Sequence, residues 1–186
     1  MSRKFTTLFA ALLVSTSLVA TSIEANAATK NPTTQSAESS SFKRGKVVSF
    51  QTKYPAGSVI VKTGERALYY VLGNGKAVRY AIAAPKKGFE WSGAHKVSQM
   101  VKWPDWSPPA AMRKRRPELP TYMAGGPENP LGARAIYLGS SLYRIHGTNE
   151  PSSIGKAASS GCIRMLNADV SELYAHVRPG ALVVVI

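Results

Sequence analysis

The chain has 186 residues, a formal charge of +14, 44% apolar residues and a single cysteine. That length allows one domain with its own core behind a leader, and one cysteine excludes an internally disulfide-braced scaffold. The charge attracts anions, but the sequence carries neither a nucleic-acid-binding helix pattern nor an interleaved aromatic platform, so nucleic acid is not an expected partner.

Arg3 and Lys4, the apolar stretch from Leu8 to Ala20 and the small-x-small site Ala25-Asn-Ala27 read as an export signal, residues 1–27, cleaved before Ala28. The apolar run is about a dozen residues, short of the roughly 20 a spanning helix needs. No integral membrane segment is expected after cleavage, and no cysteine stands at the cleavage point for lipid attachment. Removing 1–27 leaves 159 residues with a net charge of +13, since Arg3, Lys4 and Glu24 go with the leader. Residues 28–47 are rich in Thr, Ser, Asn and Ala and show no period, which reads as a flexible tether. The whole of 28–56 is assigned to a flexible N-terminal segment and 57–186 to one folded domain.

Ser58–Lys62, Ala67–Leu72 and Ala77–Ala83 are short β-branched and aromatic runs separated by Thr63-Gly-Glu-Arg66 and Gly73-Asn-Gly75. This is the pattern of a β-meander, with Arg79 on a wet face. From Pro85 to Pro130 the prolines argue against a central strand, and the segment reads as a long irregular insertion with one short helix opening at Pro108-Pro109. Trp103 and Trp106 either cover a small core or line a groove. Arg113–Arg116 are either a solvated face or an anion-facing patch. His95 has no metal-ligand company and no expected role.

Ala135–Leu138 and Leu142–Ile145 read as paired strands, and Ile154–Ala158 is long enough for one helical turn at most. Val170, Leu173, Tyr174 and Val177 recur at helical spacing, with Asn167 or Asp169 as cap and an Asp169–Glu172 capping box. His176, near the end of that helix, reads as structural. Ala181–Ile186 is a fully apolar strand that belongs inside a sheet.

His146 closes the second of the paired strands, and Cys162 follows sixteen positions later in Ser159-Ser-Gly-Cys-Ile-Arg-Met165. A thiol needs a nearby base to become a strong nucleophile at neutral pH, and imidazole is the usual one; a protonated His146 is expected to favour the Cys162 thiolate and hold the thiol below its free value. A buried inert cysteine is the alternative. Flanking serines and glycine argue against a core strand, and an idle free thiol is a liability in an oxidising space. A zinc site would need about three protein ligands, which one cysteine and scattered histidines do not offer.

His146-Gly-Thr-Asn149, the gap of sixteen and Ser159-Ser-Gly-Cys-Ile-Arg-Met165 resemble the signature of the L,D-transpeptidase catalytic domain, and Asn129-Pro-Leu-Gly132, Asn167-x-Asp169 and the last strand extend the likeness over 57–186. The resemblance implies a mainly β, sandwich-like fold with short helices and a long Pro-rich insertion, no metal or organic cofactor, and a periplasmic, wall-associated enzyme of a Gram-negative bacterium. It implies Cys162 as nucleophile, His146 as base, N–H donors for an oxyanion at Gly161 and Cys162 in the turn with Ser160, and Arg164 beside the pocket. Gly147, Thr148, Trp103 and Trp106 are grouped with Arg164 as substrate-binding residues. Many members have a second histidine where this chain has Ser160. The implied reaction cleaves the terminal D-alanine from a peptidoglycan stem tetrapeptide through a thioester. The acyl group then passes to an amine of a second stem or of a lysine-bearing outer-membrane protein. The alternatives are an L,D-carboxypeptidase and a non-catalytic cell-wall-binding module. The partner that orients His146 is left open, with a backbone carbonyl as the family precedent.

Overall fold

A computed structural model describes residues 42–186. The leader and residues 28–41 of the expected tether lie outside that range. The fold is mainly β with few short helices. The meander forms as expected: β2 (Val59–Lys62), β3 (Ala67–Gly73) and β4 (Lys76–Ala81) pair antiparallel in sequence order. Alternation puts Val59, Val61, Leu68 and Tyr70 on the main core face and Ile60, Tyr69 and Val71 on the other. That second face is not wet. Phe50 and Tyr54 cover it, with Phe50 stacked on Tyr69 at 4.3 Å.

The N-terminal segment departs from expectation. Within the described part, Lys46–Ser49 is a strand (β1) on the outer edge of β4, and Phe42 is buried. The sequence around Phe42 has no period because its order comes from elsewhere. The Glu172 carboxylate accepts the N–H groups of Lys43, Arg44 and Gly45 at 2.7–3.0 Å, and the ring of Phe42 lies 3.9 Å from that of His176. His176 thus has the structural place expected of it.

The larger correction lies in the Pro-rich stretch. It holds β5 (Ala84–Pro85), the ten-residue β6 (Gly93–Lys102), and α1 (Ala110–Arg115). Strand β6 is the longest and sits inside the sheet. Its first half pairs with β11 (Leu182–Val185) and its second with β7 (Arg134–Leu138), with a register irregularity near Val97. Only Val97 on this strand is fully buried, so the run lacks an apolar alternation. Hydrogen bonds on both edges keep it in place, and it lies in the proline-free run between Pro85 and Pro104. Beyond it, Asn129 holds the insertion closed. Its Nδ2 donates to the carbonyls of Pro104, Met123 and Ala124, and its Oδ1 accepts from Leu131 N–H.

Including β8 (Arg144–His146), β9 (Ala157–Ser159) and β10 (Ile163–Arg164), the main sheet runs β1-β4-β3-β2-β11-β6-β7-β8-β10, with β5 and β9 forming a separate pair. The apolar terminal strand β11 is central, as its composition requires. Ile154–Ala158 is not a helical turn: a 3-10 turn occupies Pro151–Ser153 and β9 follows. Helix α2 (Asn167–His176) buries Val170 and Leu173 against Ile136, Ile145 and Ile163 of the second half of the sheet. It has no capping box. Leu166 is the N-cap, Glu172 faces the N-terminal segment, and Asn167 turns toward the loop after β8.

Candidate active site

Strands β8 and β10 run parallel, with Ile163 beside Ile145 and Arg164 beside His146. The two isoleucines point into the core. By the two-residue period of a strand, Arg144, His146, Cys162 and Arg164 then share the opposite face. All four line one cavity of about 960 Å3. The chain segments that carry the signature are thus neighbours in one sheet, with Cys162 in the last position of the turn that enters β10.

That turn is held from several sides. Ser159 is buried; its hydroxyl donates to the Cys162 carbonyl and accepts from Gly161 N–H at 3.3 Å. Gly161 has φ of 113°, a region that favours glycine. Its carbonyl accepts from Trp91 Nε1 at 2.6 Å, and Trp91 stacks on Tyr143 at 4.1 Å. Trp91 thus braces the thiol-bearing turn. With the Gly161 N–H engaged by Ser159, the Cys162 N–H is the donor of the pair without an intramolecular acceptor among the described residues.

His146 is buried, and its Nδ1 lies 2.6 Å from the carbonyl oxygen of Gly147. A neutral imidazole donating there keeps its lone pair on Nε2. Gly147 and Thr148 do not line the cavity; they frame it. Asn167 Oδ1 accepts the N–H groups of Ala133 and Thr148 at 3.0 Å each, and its Nδ2 donates to Thr148 carbonyl at 2.9 Å. A Cβ at Gly147 or Gly132 would collide with that same Oδ1, so both positions require glycine. Asn167 is therefore the organiser of the His146 loop, a role hidden behind its reading as a helix cap.

Burial pushes His146 down to about 3, and the charges of Arg164 and Arg144 add to the effect, while hydrogen bonds to the Gly147 and Leu131 carbonyls oppose it. Burial raises the Cys162 thiol, and Arg144, through its charge and its hydrogen bonds, pulls it down, with Arg164 following. Both directions favour a thiol beside a neutral imidazole over an ion pair, which corrects the expectation of a thiolate held by a protonated His146. Arg164 also donates to Glu150 at 3.1 Å. Arg144 was not singled out from the sequence; its place two residues before His146 was the available signal.

The remaining assignments divide. Ser160 and Trp106 line the cavity, as do Arg115 and Arg116 of the basic run; Arg113 and Lys114 do not. Trp106 is buried through backbone bonds to Met123 in both directions. Trp103 is 45% exposed and stands outside the cavity, which corrects its grouping with Trp106. Its backbone turns into the left-handed region (φ 47°) directly after β6. His95 packs edge-on against Trp91 and does not line the cavity.

A profile of the L,D-transpeptidase catalytic domain (YkuD) matches residues 56–186. The chain belongs to this family. It is 36% identical over 135 residues to Escherichia coli "Probable L,D-transpeptidase ErfK/SrfK", covering 69% of this chain and 43% of the relative. The chain thus aligns with less than half the length of that curated relative. A solved structure from Brucella melitensis, named a probable carnitine operon oxidoreductase, is 41% identical, with TM-score 0.52 and coverage of 75% of this chain and 91% of that one. The catalytic domain of the E. faecium L,D-transpeptidase has the same fold at 16% identity, with TM-score 0.56 and coverage of 73% and 100%. Among the described residues no helix is long and apolar enough to cross a membrane.

Proposed function

We propose that the protein is an exported peptidoglycan L,D-transpeptidase that works through a thioester on Cys162. The observation that carries this reading is the single cavity face bearing His146 and Cys162, in a chain that belongs to the L,D-transpeptidase family. As the Cys162 sulfur attacks the carbonyl joining residue three of a stem tetrapeptide to D-alanine, its proton passes to His146 Nε2. The oxyanion is met by the Cys162 N–H and by positive charge nearby. Collapse of the tetrahedral state breaks the C–N bond, and His146 returns the proton to the departing amine of D-alanine. An incoming amine then attacks the thioester, gives a proton to His146 and restores the thiol.

Desolvation and flanking guanidinium groups make an imidazolium costly, so proton transfer belongs to the attack itself and not to a resting ion pair. The acceptor reading rests on the rest of the cavity lining. Met112, Leu119 and Met123 line it with Arg115 and Arg116, a mixed apolar and cationic surface extensive enough for a second peptide. This favours an amine on another stem or on a lysine-bearing outer-membrane protein over water. Release of D-alanine from a tetrapeptide stem tests the reading: it should stop in Cys162→Ala with an unchanged circular dichroism spectrum. Normal release from that variant contradicts it. Muropeptide mass spectrometry of cells with and without the protein separates the acceptors: loss of 3→3 dimers marks stem transfer, loss of peptide-modified stems marks protein attachment, and loss of tripeptides alone marks hydrolysis.

A further inference from the structure

Among the described residues, one buried side-chain nitrogen or oxygen lacks a hydrogen-bond partner: Arg144 Nε. An unpaired guanidinium nitrogen out of water is costly, and such groups are retained where something else uses them. Its surroundings narrow what that is. Arg144 is paired across the sheet with Tyr137, and its guanidinium lies over the Tyr137 ring at 5.0 Å. This fixes the head of a long side chain against one strand. On the other side, the register that sets Ile163 beside Ile145 sets Cys162 beside Arg144 on the cavity face. The sulfur lies 3.8 Å from Leu142 carbonyl oxygen, at the entrance to the same strand. The other cation on that face, Arg164, donates to Glu150, so part of its charge is already answered. Arg144 has no carboxylate partner among the ion pairs of the described residues.

We propose that Arg144 is a positioning residue for the nucleophile: its guanidinium, held over Tyr137, is the principal positive charge that stabilises the Cys162 thiolate, in the place usually given to a protonated histidine. The proposal rests on the reading of Cys162 as the nucleophile. Its physical basis is a division of labour between two groups. A buried imidazole flanked by two guanidinium groups stays neutral and keeps its lone pair for the thiol proton. It therefore supplies no charge to the sulfur before attack. An arginine remains charged at every working pH and supplies that charge permanently. The pull of Arg144 on the thiol, against the opposing effect of burial, has the same direction. Arg144 thus lowers the cost of forming the thiolate while His146 serves as proton acceptor, and each group is free of the other's task.

The test is the rate of Cys162 alkylation by iodoacetamide as a function of pH, with no substrate present, on the full-length mature protein. Arg144→Gln should move the midpoint upward by about one unit and slow alkylation at pH 7 about tenfold, because one unit is a factor of ten in thiolate. Arg144→Lys should recover part of the shift. His146→Ala should leave the midpoint close to wild type. Thermal melts of each variant separate a lost fold from a lost charge: a folded Arg144→Gln with a wild-type profile overturns the proposal, as does a His146→Ala midpoint that rises as far as that of Arg144→Gln. If Arg144 binds a substrate carboxylate instead, its loss raises KM for the tetrapeptide while the alkylation profile stays put, and this too overturns the proposal. Acylation of wild-type Cys162 by a tetrapeptide is measured alongside. Acylation together with an unmoved profile removes the Arg144 role alone, whereas no acylation removes the nucleophile reading beneath it.

Discussion

The Nδ1 of His146 and the carbonyl oxygen of Gly147, 2.6 Å apart, are neighbours in the chain as well as in space. The group that orients the imidazole is therefore built into the histidine motif and needs no third side chain. It fixes the tautomer that leaves Nε2 as proton acceptor. Its position depends in turn on the path of the loop after β8, which Asn167 holds.

Replacing Asn167 by Ala removes two accepted hydrogen bonds and one donated bond around that loop. With about 1 kcal/mol for each bond, the loss of stability should be about 2–4 kcal/mol. D-alanine release should fall further than the lost folded fraction explains, because the His146 ring is no longer held. A urea melt and single-turnover kinetics check this. A variant with wild-type melting and turnover would remove Asn167 from its organising role.

The depressed His146 has a definite sign in linkage. Its folded value is about 3 against 6.5 for the ordinary imidazole, so the unfolded chain binds the proton first as pH falls. Its contribution to stability is complete above pH 6.5 and is lost progressively between about 6.5 and 3. One proton sets a ceiling of about 1.4 kcal/mol per pH unit on the slope. Chemical denaturation at pH 7 and pH 5 should show the wild type losing more stability than His146→Gln. Equal losses in the two proteins would contradict a buried neutral imidazole.

Glu172 tests the correction at the N-terminal edge. Its carboxylate accepts three backbone N–H groups and the Tyr80 hydroxyl. Glu172→Ala should cost about 1–3 kcal/mol and expose Lys43 and Arg44 to trypsin, while D-alanine release per folded molecule stays unchanged. Resistance to trypsin equal to wild type would mean that other contacts hold the segment.

The strands of the meander, the central terminal strand and the convergence of His146 and Cys162 on one cavity were legible in the sequence, since each rests on local alternation or on a short motif. What escaped has one physical cause. Strand β6 is held by hydrogen bonds from both neighbours and not by an apolar face, so its sequence looks irregular. Asn167 and Glu172 act through backbone groups far away in the chain, as Asn129 does toward Pro104, and a polar residue shows nothing of its distant partners. Arg144 was passed over for a related reason. Its importance comes from the parallel register of β8 and β10, which spacing alone does not reveal. The basic run shows the limit in the other direction: Arg115, the last residue of α1, and Arg116, its C-cap, line the cavity, whereas Arg113 and Lys114 do not.

The pairing of Arg164 with Glu150 gives a prediction about the donor. The Glu150 side chain is 63% exposed, so the ion pair is worth little to the fold. Glu150→Gln should leave the melting temperature within about a degree or two of wild type, given an exposed pair of well under 1 kcal/mol. It should lower KM for a tetrapeptide, because Arg164 is released to meet a substrate carboxylate or carbonyl. An unchanged KM would assign Arg164 to the turn and not to the substrate.

The central claim is a thioester on Cys162, and intact-protein mass spectrometry after brief mixing with a stem tetrapeptide tests it most directly. The account predicts a new species heavier by the tripeptide acyl group, with free D-alanine appearing at the same time. The added mass should map to the peptide containing Cys162, be removed by hydroxylamine, and be absent from Cys162→Ala. D-alanine release without any adduct on Cys162, or an adduct that persists in Cys162→Ala, would contradict it.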